Sequence, residues 1–334
     1  MGSTLEAMLR RMMLEAGEGE EVDQSVPEPV LDSFDLEGVA AKIKNGDIKK
    51  VCFAVGAGLS VSAGIPDFRT PGTGLYDNLQ AYDLPYPQAI FELDYFREKP
   101  EAFYTLAREM WAAKDYEPTP GHYLIRLFHD KGLLVRCLTQ NIDSLEARAG
   151  IPKDKVVAAH GNFDTATCIG SREKVDVDAL KEAVRDGTWR EFNEKHGGLC
   201  KPDIVFFGES LPSRFFESMQ DDLPECDLLI VIGTSLAVQP FARCVDEVSN
   251  SCARVLMNRE RVGEANEELI KMLGARRANG FIFDGEQRWR DVFVGGDIDA
   301  NARKLAALLG WEEELDAYVR GGGGGGGGGG VPSS

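Results

Sequence analysis

The sequence holds no apolar run of membrane-spanning length and no two cysteines close enough to begin a metal site, and its acidic side chains outnumber its basic ones 55 to 37. Each shortage excludes something. Without a spanning run a helical membrane protein is not expected. The first residues also lack the basic, apolar, small-residue succession of a secretory leader, so a soluble intracellular chain with no membrane partner is the expectation. Seven cysteines, at 52, 137, 168, 200, 226, 244 and 252, are odd in number and scattered, several inside apolar strand-like runs. They read as reduced thiols packed as small hydrophobes, not as a disulfide framework. A net charge of −18 repels a phosphodiester backbone, so nucleic acid is not expected as a direct partner. Basic peptides suit such a surface better, although solubility alone also accounts for it.

What is present suffices for one large core with an accessory lobe: 334 residues, 43% of them apolar. Residues 1–34 read as a flexible extension, in which Leu5, Met8, Leu9, Met12 and Met13 form one short helical patch before a Glu- and Gly-rich stretch. Residues 321–334 open with ten glycines, a homopolymer that cannot offset its own ordering entropy. Between them, over 35–320, apolar runs at 50–55, 133–139, 155–159, 226–232 and 253–258 alternate with helical patterns at 89–113, 119–130, from Ser144, 212–222, 240–248 and 299–309. A run such as Leu228–Ile232 suits a strand covered on both faces. The alternation predicts an α/β fold, a doubly wound parallel sheet of Rossmann-like type.

The densest signal follows the first strand, where Gly56 and Gly58 open a helix start. Amides freed there suit a pyrophosphate. The turn is not that of an ordinary dehydrogenase, because Val61 stands where the third glycine belongs and the next is Gly64. Polar and glycine residues gather after other strands too: Thr139 to Asp143, His160-Gly161, Gly233 to Ser235 and Asn258 to Glu260. One such turn could be mere capping chemistry. Five of them at the carboxyl ends of parallel strands converge on one crevice, where open sheets bind ligands.

The motifs GAGLSVSAGIPDFR, TQNID, HGNF, KPDIVFFGE, GTSLAVQP and MNRE, in this order over about 35–319, resemble those of the sirtuins, the NAD-dependent protein deacylases. The stretches AGIPDFRTPGTGLYDNLQAYDLPYPQAIFE, ESLPSRFF and RDVFVGGD look most like the class I cytosolic branch. The resemblance implies a large Rossmann-like domain with a smaller lobe inserted at about 161–203, normally a zinc module, and a helical module at about 70–118. It implies an NAD site of Gly56, Ala57, Gly58 and Ser60, a loop of Asp67, Phe68 and Arg69 over the nicotinamide, and a ribose and amide pocket of Gln140, Asn141, Ile142 and Asp143. Gly233, Thr234 and Ser235 would meet the adenosine half, Asn258 and Glu260 its ribose, and Ile298 the adenine. Asn141, Asp143 and His160 would be catalytic, His160 as the general base on a ribose hydroxyl after the acyl-lysine oxygen displaces nicotinamide. An imidazole with an ordinary pKa near ~6.5 suits that proton transfer. Peptide would lie between Val205, Phe206, Phe207, Gly208 and Glu209 on one side and Val238 on the other, bound largely through its main chain. One of the two phenylalanines is expected to be a core aromatic.

One segment departs from the family pattern. Where sirtuins carry two cysteine pairs for a structural zinc, this chain has Cys168, Glu173, Asn193 and His196, with Cys200 four residues further on. A mixed site of Cys168, Glu173, His196 and Cys200 stays open, since each is a known type of ligand. The lack of a close pair favours no metal, with the lobe held by Val175, Leu180, Val184, Trp189 and Phe192. The expected activity is deacylation of protein lysine giving nicotinamide and O-acyl-ADP-ribose. The alternatives are an NAD- or ADP-ribose-binding pseudoenzyme and a mono-ADP-ribosyltransferase. Histone tails and tubulin are substrates suggested by the family only, as are a cytoplasmic location and shuttling to the nucleus. Acyl-chain preference and oligomeric state are not legible.

Overall fold

Strand β1 (Val51–Val55) is apolar throughout and buried at every position, as befits the middle of a doubly covered sheet. The computed structural model describes residues 27–65, 84–112 and 116–322. Eight further strands follow in it: β2 (Leu134–Thr139), β3 (Val156–Ala158), β4 (Gly161–Cys168), β5 (Lys174–Val175), β6 (Cys200–Ile204), β7 (Leu228–Ile232), β8 (Ala253–Asn258) and β9 (Asp291–Gly295). Six make one parallel sheet in the order β3-β2-β1-β7-β8-β9, and β5-β4-β6 form a separate antiparallel sheet. The order reverses between β1 and β7, which are neighbours in space with 172 residues between the end of one and the start of the other, from Val55 to Leu228. Ligand crevices of open sheets form at such a reversal.

The helices are α1 (Leu36–Lys44), α2 (Leu93–Glu98), α3 (Pro100–Ala112), α4 (Pro120–Asp130), α5 (Leu145–Arg148), α6 (Val177–Asp186), α7 (Trp189–Lys195), α8 (Ser213–Asp221), α9 (Glu267–Leu273), α10 (Ile298–Leu309) and α11 (Glu312–Gly321). Alternate residues of β1 face opposite layers. Val51, Phe53 and Val55 pack with Leu36 and Val39 of α1, Phe128 of α4 and Leu305 of α10. Cys52 and Ala54 pack with Phe215 of α8 and with Phe241, in a short 3-10 helix at Phe241–Val245. At roughly 1.5–3 kcal/mol for each large side chain removed from water, these layers fix where the strand ends point. Capping sets the helix starts: Thr119 and His122 form a capping box on α4 with Pro120 in its first turn, and Asp297 accepts the Ala300 amide at α10.

The small sheet packs on α2, α3, α6 and α7 through a third cluster that includes Phe96, Phe103, Tyr104, Leu180, Val184 and Phe206. Phe206 lies at its centre, 4.8 Å from the Phe103 ring and 5.6 Å from Phe96. Val175, Trp189 and Phe192 belong to the same cluster.

Several elements differ from the sequence pattern. The helix expected over 89–113 is broken at Lys99, whose φ of −135° and ψ of 68° are non-helical, and Pro100 opens α3. The helix expected at 240–248 is only the short 3-10 helix, and the one after Gly56 is likewise 3-10, over Ala57–Ala63. Strands β4 to β6 and β9 and helices α1, α6, α7, α9 and α11 had no counterpart in the sequence pattern. Val30 and Leu31 already belong to the folded part: the Val30 amide donates to Trp289 O at 2.8 Å, and Leu31 is buried.

Candidate active site

A cavity of about 1000 Å³ opens at the carboxyl ends of the parallel strands, along the reversal between β1 and β7. Its wall includes Gly56, Ala57 and Gly58 after β1, Gln140, Asn141 and Ile142 after β2, His160 after β3, Gly233, Thr234 and Ser235 after β7, and Asn258 and Glu260 at the end of β8. Val205, Phe206, Phe207, Gly208 and Glu209 line it from the small lobe, Val238 from the turn after β7 and Ile298 from the first turn of α10. Ser60 and Asp143 stand just behind the wall, Ser60 Oγ donating to Asp143 Oδ2 at 2.7 Å. Asp67, Phe68 and Arg69 lie outside the described residues.

The glycines after β1 serve a purpose other than the one read from the sequence. The Gly56 amide donates to Ile232 O at 2.9 Å and the Gly58 amide to Gly233 O at 2.8 Å. These two N–H groups are therefore not free for a pyrophosphate. Glycine is required because the turns after β1 and β7 touch: a Cβ on Gly58 would lie 2.6 Å from Gly233 Cα, and one on Gly56 2.8 Å from Thr234 Cβ. The close approach narrows the floor of the crevice at the reversal point.

Beside that floor runs a chain of buried polar groups. Asn141 Nδ2 donates to Gly56 O at 3.2 Å and lies 3.3 Å from Ser60 Oγ. Asp143 accepts from Ser60 and, through Oδ1, from the Leu145 amide at 2.9 Å. Burial raises the Asp143 carboxyl above its ordinary range, and those two donors oppose the rise. Gln140 Nε2 donates to Thr234 Oγ1 at 2.7 Å, and Asn258 Nδ2 to Thr234 O at 3.3 Å and Glu260 O at 3.0 Å, so the three turns hold one another.

His160 sits where the two halves of the cavity meet. Its Nδ1 lies 3.1 Å from Gln140 O, which can only accept, so Nδ1 carries the proton and Nε2 keeps a lone pair. Burial lowers its pKa below the ordinary value, with the Gln140 carbonyl opposing, and the ring is neutral at pH 7. Its own carbonyl accepts from the Val205 amide at 2.8 Å, tying the base to the small-lobe wall. Gly161 follows with φ of 70°, and a Cβ there would strike the Asp203 carbonyl of β6.

On the small-lobe side the two phenylalanines separate: Phe206 is 1% exposed and lies in the lobe core, whereas Phe207 is 50% exposed at the cavity. Glu209 lines the cavity, but its carboxylate is engaged inward, by the Phe206 amide at 2.8 Å and by the buried Lys201 ammonium at 2.9 Å. It holds the wall and is not a free acid facing a peptide. The Phe207 amide is also occupied, by Phe91 O at 2.8 Å.

Sequence reasoning missed Gly296, Asp297 and Asp299, which line the far end of the cavity beside Ile298. They follow β9, whose strand character was overlooked; the rule that found the other turns would have found this one. It also missed the apolar wall of Phe91, Leu211 and Val262, which carries no polar signature.

Residues 56–240 match the model of the Sir2 family. The chain belongs to that family. It is 48% identical over 299 residues to zebrafish NAD-dependent protein deacetylase sirtuin-2, covering 87% of this chain and 76% of the relative. It is 46% identical over 284 residues to fission yeast NAD-dependent protein deacetylase hst2, 85% and 79% of the two chains, and 44% identical over 283 residues to mouse NAD-dependent protein deacetylase sirtuin-3, 84% and 78%. The resemblance to the class I, cytosolic-type branch read from the motifs stands.

The structural zinc that such motifs imply for the Sir2 family does not fit the residues present. Cys168 and Cys200 are cross-strand partners on β4 and β6, and Cys168 Sγ points to His196 O at 3.3 Å. The remaining positions have other duties. Glu173 is exposed, and the His196 ring rests on Phe192 at 4.5 Å. Asn193 is buried and turned into the lobe: its Oδ1 accepts from the Cys200 amide at 3.0 Å, and its Nδ2 donates to Tyr104 OH at 3.1 Å. Tyr104 OH in turn donates to Cys200 O at 2.6 Å. Among the described residues no group of three or more His, Cys, Asp or Glu side chains is arranged to hold a metal ion.

Proposed function

We propose that this chain is an NAD-dependent protein-lysine deacetylase that passes the acyl group to ADP-ribose and releases nicotinamide and free lysine. The observation that carries the reading is the placement of His160: a neutral imidazole with Nε2 unprotonated, at the junction of the polar crevice and the small-lobe wall. A general base must hold a lone pair at working pH within reach of the hydroxyl it deprotonates, and burial keeps this ring neutral. The named activities of relatives 42–48% identical support the same conclusion.

The cavity also fits the cofactor. Its roughly 1000 Å³ is at the large end for small-molecule sites, and its polar groups are mostly amides and hydroxyls suited to ribose and carboxamide. When bound, NAD would supply the electrophilic ribose carbon and the leaving nicotinamide. Asp143 and the Ile142 main chain would hold the carboxamide, Gly233 to Ser235 with Asn258, Glu260 and Ile298 the adenosine half, and Asp67 to Arg69 would cover the nicotinamide side. Asn141 would keep the floor rigid through its bonds to Gly56 and Ser60. An acyl-lysine would enter between Phe207 and Val238 and meet His160 from the apolar side.

The acylated lysine would be presented by a protein in the cytoplasm, as the sirtuin-2 and hst2 relatives suggest. No helix of the described residues is long and apolar enough to cross a membrane. We infer further that the small lobe folds without metal, since Asn193, at one of the four positions where the motifs imply a ligand, is instead bonded to Tyr104 and to the Cys200 main chain.

The test is product analysis by mass spectrometry with NAD and an acetyl-lysine peptide, alongside His160→Ala. Deacetylated peptide, nicotinamide and O-acetyl-ADP-ribose in equal amounts, absent with the variant, are the expected result. NAD bound without turnover would mean a pseudoenzyme, and ADP-ribose attached to protein would mean a transferase; either overturns the proposal.

A further inference from the structure

Glu146, in the first turn of α5, is 1% exposed, and its Oε1 has no hydrogen-bond partner. A buried acid left half satisfied costs stability that a leucine would not, so its retention calls for a reason. Its surroundings supply one. The Thr139 hydroxyl is the polar side-chain neighbour that favours the Glu146 carboxylate, and Thr139 Oγ1 accepts from the Asn141 amide at 3.0 Å. Because the Asn141 amide supplies the proton for that bond, the Thr139 O–H is available to Glu146. From Asn141 the chain continues to Ser60 at 3.3 Å and from Ser60 to Asp143 at 2.7 Å.

We propose that Glu146 is a positioning residue for the nicotinamide side of the pocket, holding Thr139, and through it the Asn141 main chain, in the arrangement that lets Asn141 and Ser60 order Asp143. The inference rests on reading the crevice as an NAD site. Glu146 acts from behind the wall and touches no reacting atom.

Its charge state fits the role. The ionisable groups facing it are Asp143 and the buried Cys137 thiol, and neither is a cation. Burial first, and the Asp143 charge second, push the carboxyl up to about 8. At neutral pH Glu146 is then a neutral acid, the form that a glutamine side chain mimics. The folded pKa lies above the ordinary 4.5, so the native state binds the extra proton between those values and stability falls as pH rises from about 4.5 to about 8.

The test compares Glu146→Gln, Glu146→Ala, Thr139→Val and the double variant Thr139→Val/Glu146→Ala in the full chain. NAD affinity is read by calorimetry, and KM for NAD, kcat and nicotinamide inhibition are read at pH 7. Gln, a neutral isostere, should retain most of the NAD affinity, whereas Ala should weaken NAD and nicotinamide about tenfold, as losing one buried hydrogen bond does. The double variant should be no weaker than the worse single one. Melting temperature should fall from pH 5 to pH 8 more in the wild type than in Glu146→Gln. Equal affinities for wild type and Ala, equal losses for Gln and Ala, additive single losses, or parallel melting profiles would each overturn the proposal. If Ala does not fold, the Gln melting profile and the Thr139→Val affinity decide it. A wild type that binds no NAD would instead refute the functional reading itself.

Discussion

In the large sheet, every strand that carries a site residue is clamped between two layers, and polar side chains at the strand ends are held by neighbouring turns. In the small lobe, three short strands lean on a single cluster rich in aromatic rings, and Asn193, at a position where the sequence motifs imply a metal ligand, is bonded to Tyr104 and the Cys200 main chain. The first region positions groups through the geometry of the sheet. The second does so by a few side chains whose partners can be counted. The polar side of the crevice is thus held by the turns of its own sheet, while its other wall and, through the Val205–His160 bond, its base depend on the lobe.

The largest expected effect separates chemistry from fold. His160→Ala should lower kcat by about 10²–10⁴, the usual contribution of a general base, while leaving NAD binding and the melting temperature near wild type. For the wild type, the acidic limb of kcat against pH should fall below 6.5, because burial lowers the His160 pKa. A limb above that value would mean that a carboxylate neighbour, not burial, controls the ring.

Next come variants that damage one region at a time. Asp291 is fully buried between Arg254 Nε and Nη2, both at 2.6 Å, and also accepts the Ile282 amide at 2.7 Å. Asp291→Ala strips the buried Arg254 guanidinium of its two-pronged partner, leaving it the Asp246 carboxylate at 4.0 Å, and should cost about 3–5 kcal/mol in denaturant unfolding. In the lobe, Phe206→Ala should cost about 3–5 kcal/mol and raise the peptide KM as well, since the segment Val205–Glu209 lines the cavity. An Asp291→Ala variant that raised peptide KM at unchanged stability would break the division between the regions.

Smaller effects sharpen it. Asn193→Ala strands the buried Cys200 amide and should cost about 1–3 kcal/mol, with or without metal in the buffer. Phe207→Ala, at an exposed ring, should change stability by no more than about 0.5 kcal/mol while altering peptide KM.

How much of this was legible in the sequence follows from what kind of signal each part leaves. Leu228–Ile232 and Val51–Val55 announce a doubly covered strand by composition alone, and His160, Asn141 and Gly233 announce themselves by following such strands. Strand β4 carries Asp164, Thr165 and Thr167, which face solvent and Asp203, so its pattern has no apolar period to find. Strand β9 was hidden by Asp291, a charge in a fully buried place that reads as a loop residue until Arg254 is seen against it. The Gly56 and Gly58 turn was found for the wrong reason: its glycines answer the approach of Gly233 and Thr234. The missing cysteines were visible at once, but what replaced them was not, because Tyr104 and Asn193 are 89 residues apart.

The central claim, that the lobe stands on packing and hydrogen bonds, is tested most directly by measuring bound metal by mass spectrometry together with the melting temperature before and after exhaustive chelation. The account predicts far less than one metal ion per chain and an unchanged melting temperature, with deacetylation of an acetyl-lysine peptide intact. One zinc per chain, with loss of fold and activity on its removal and their return on adding zinc, would contradict it.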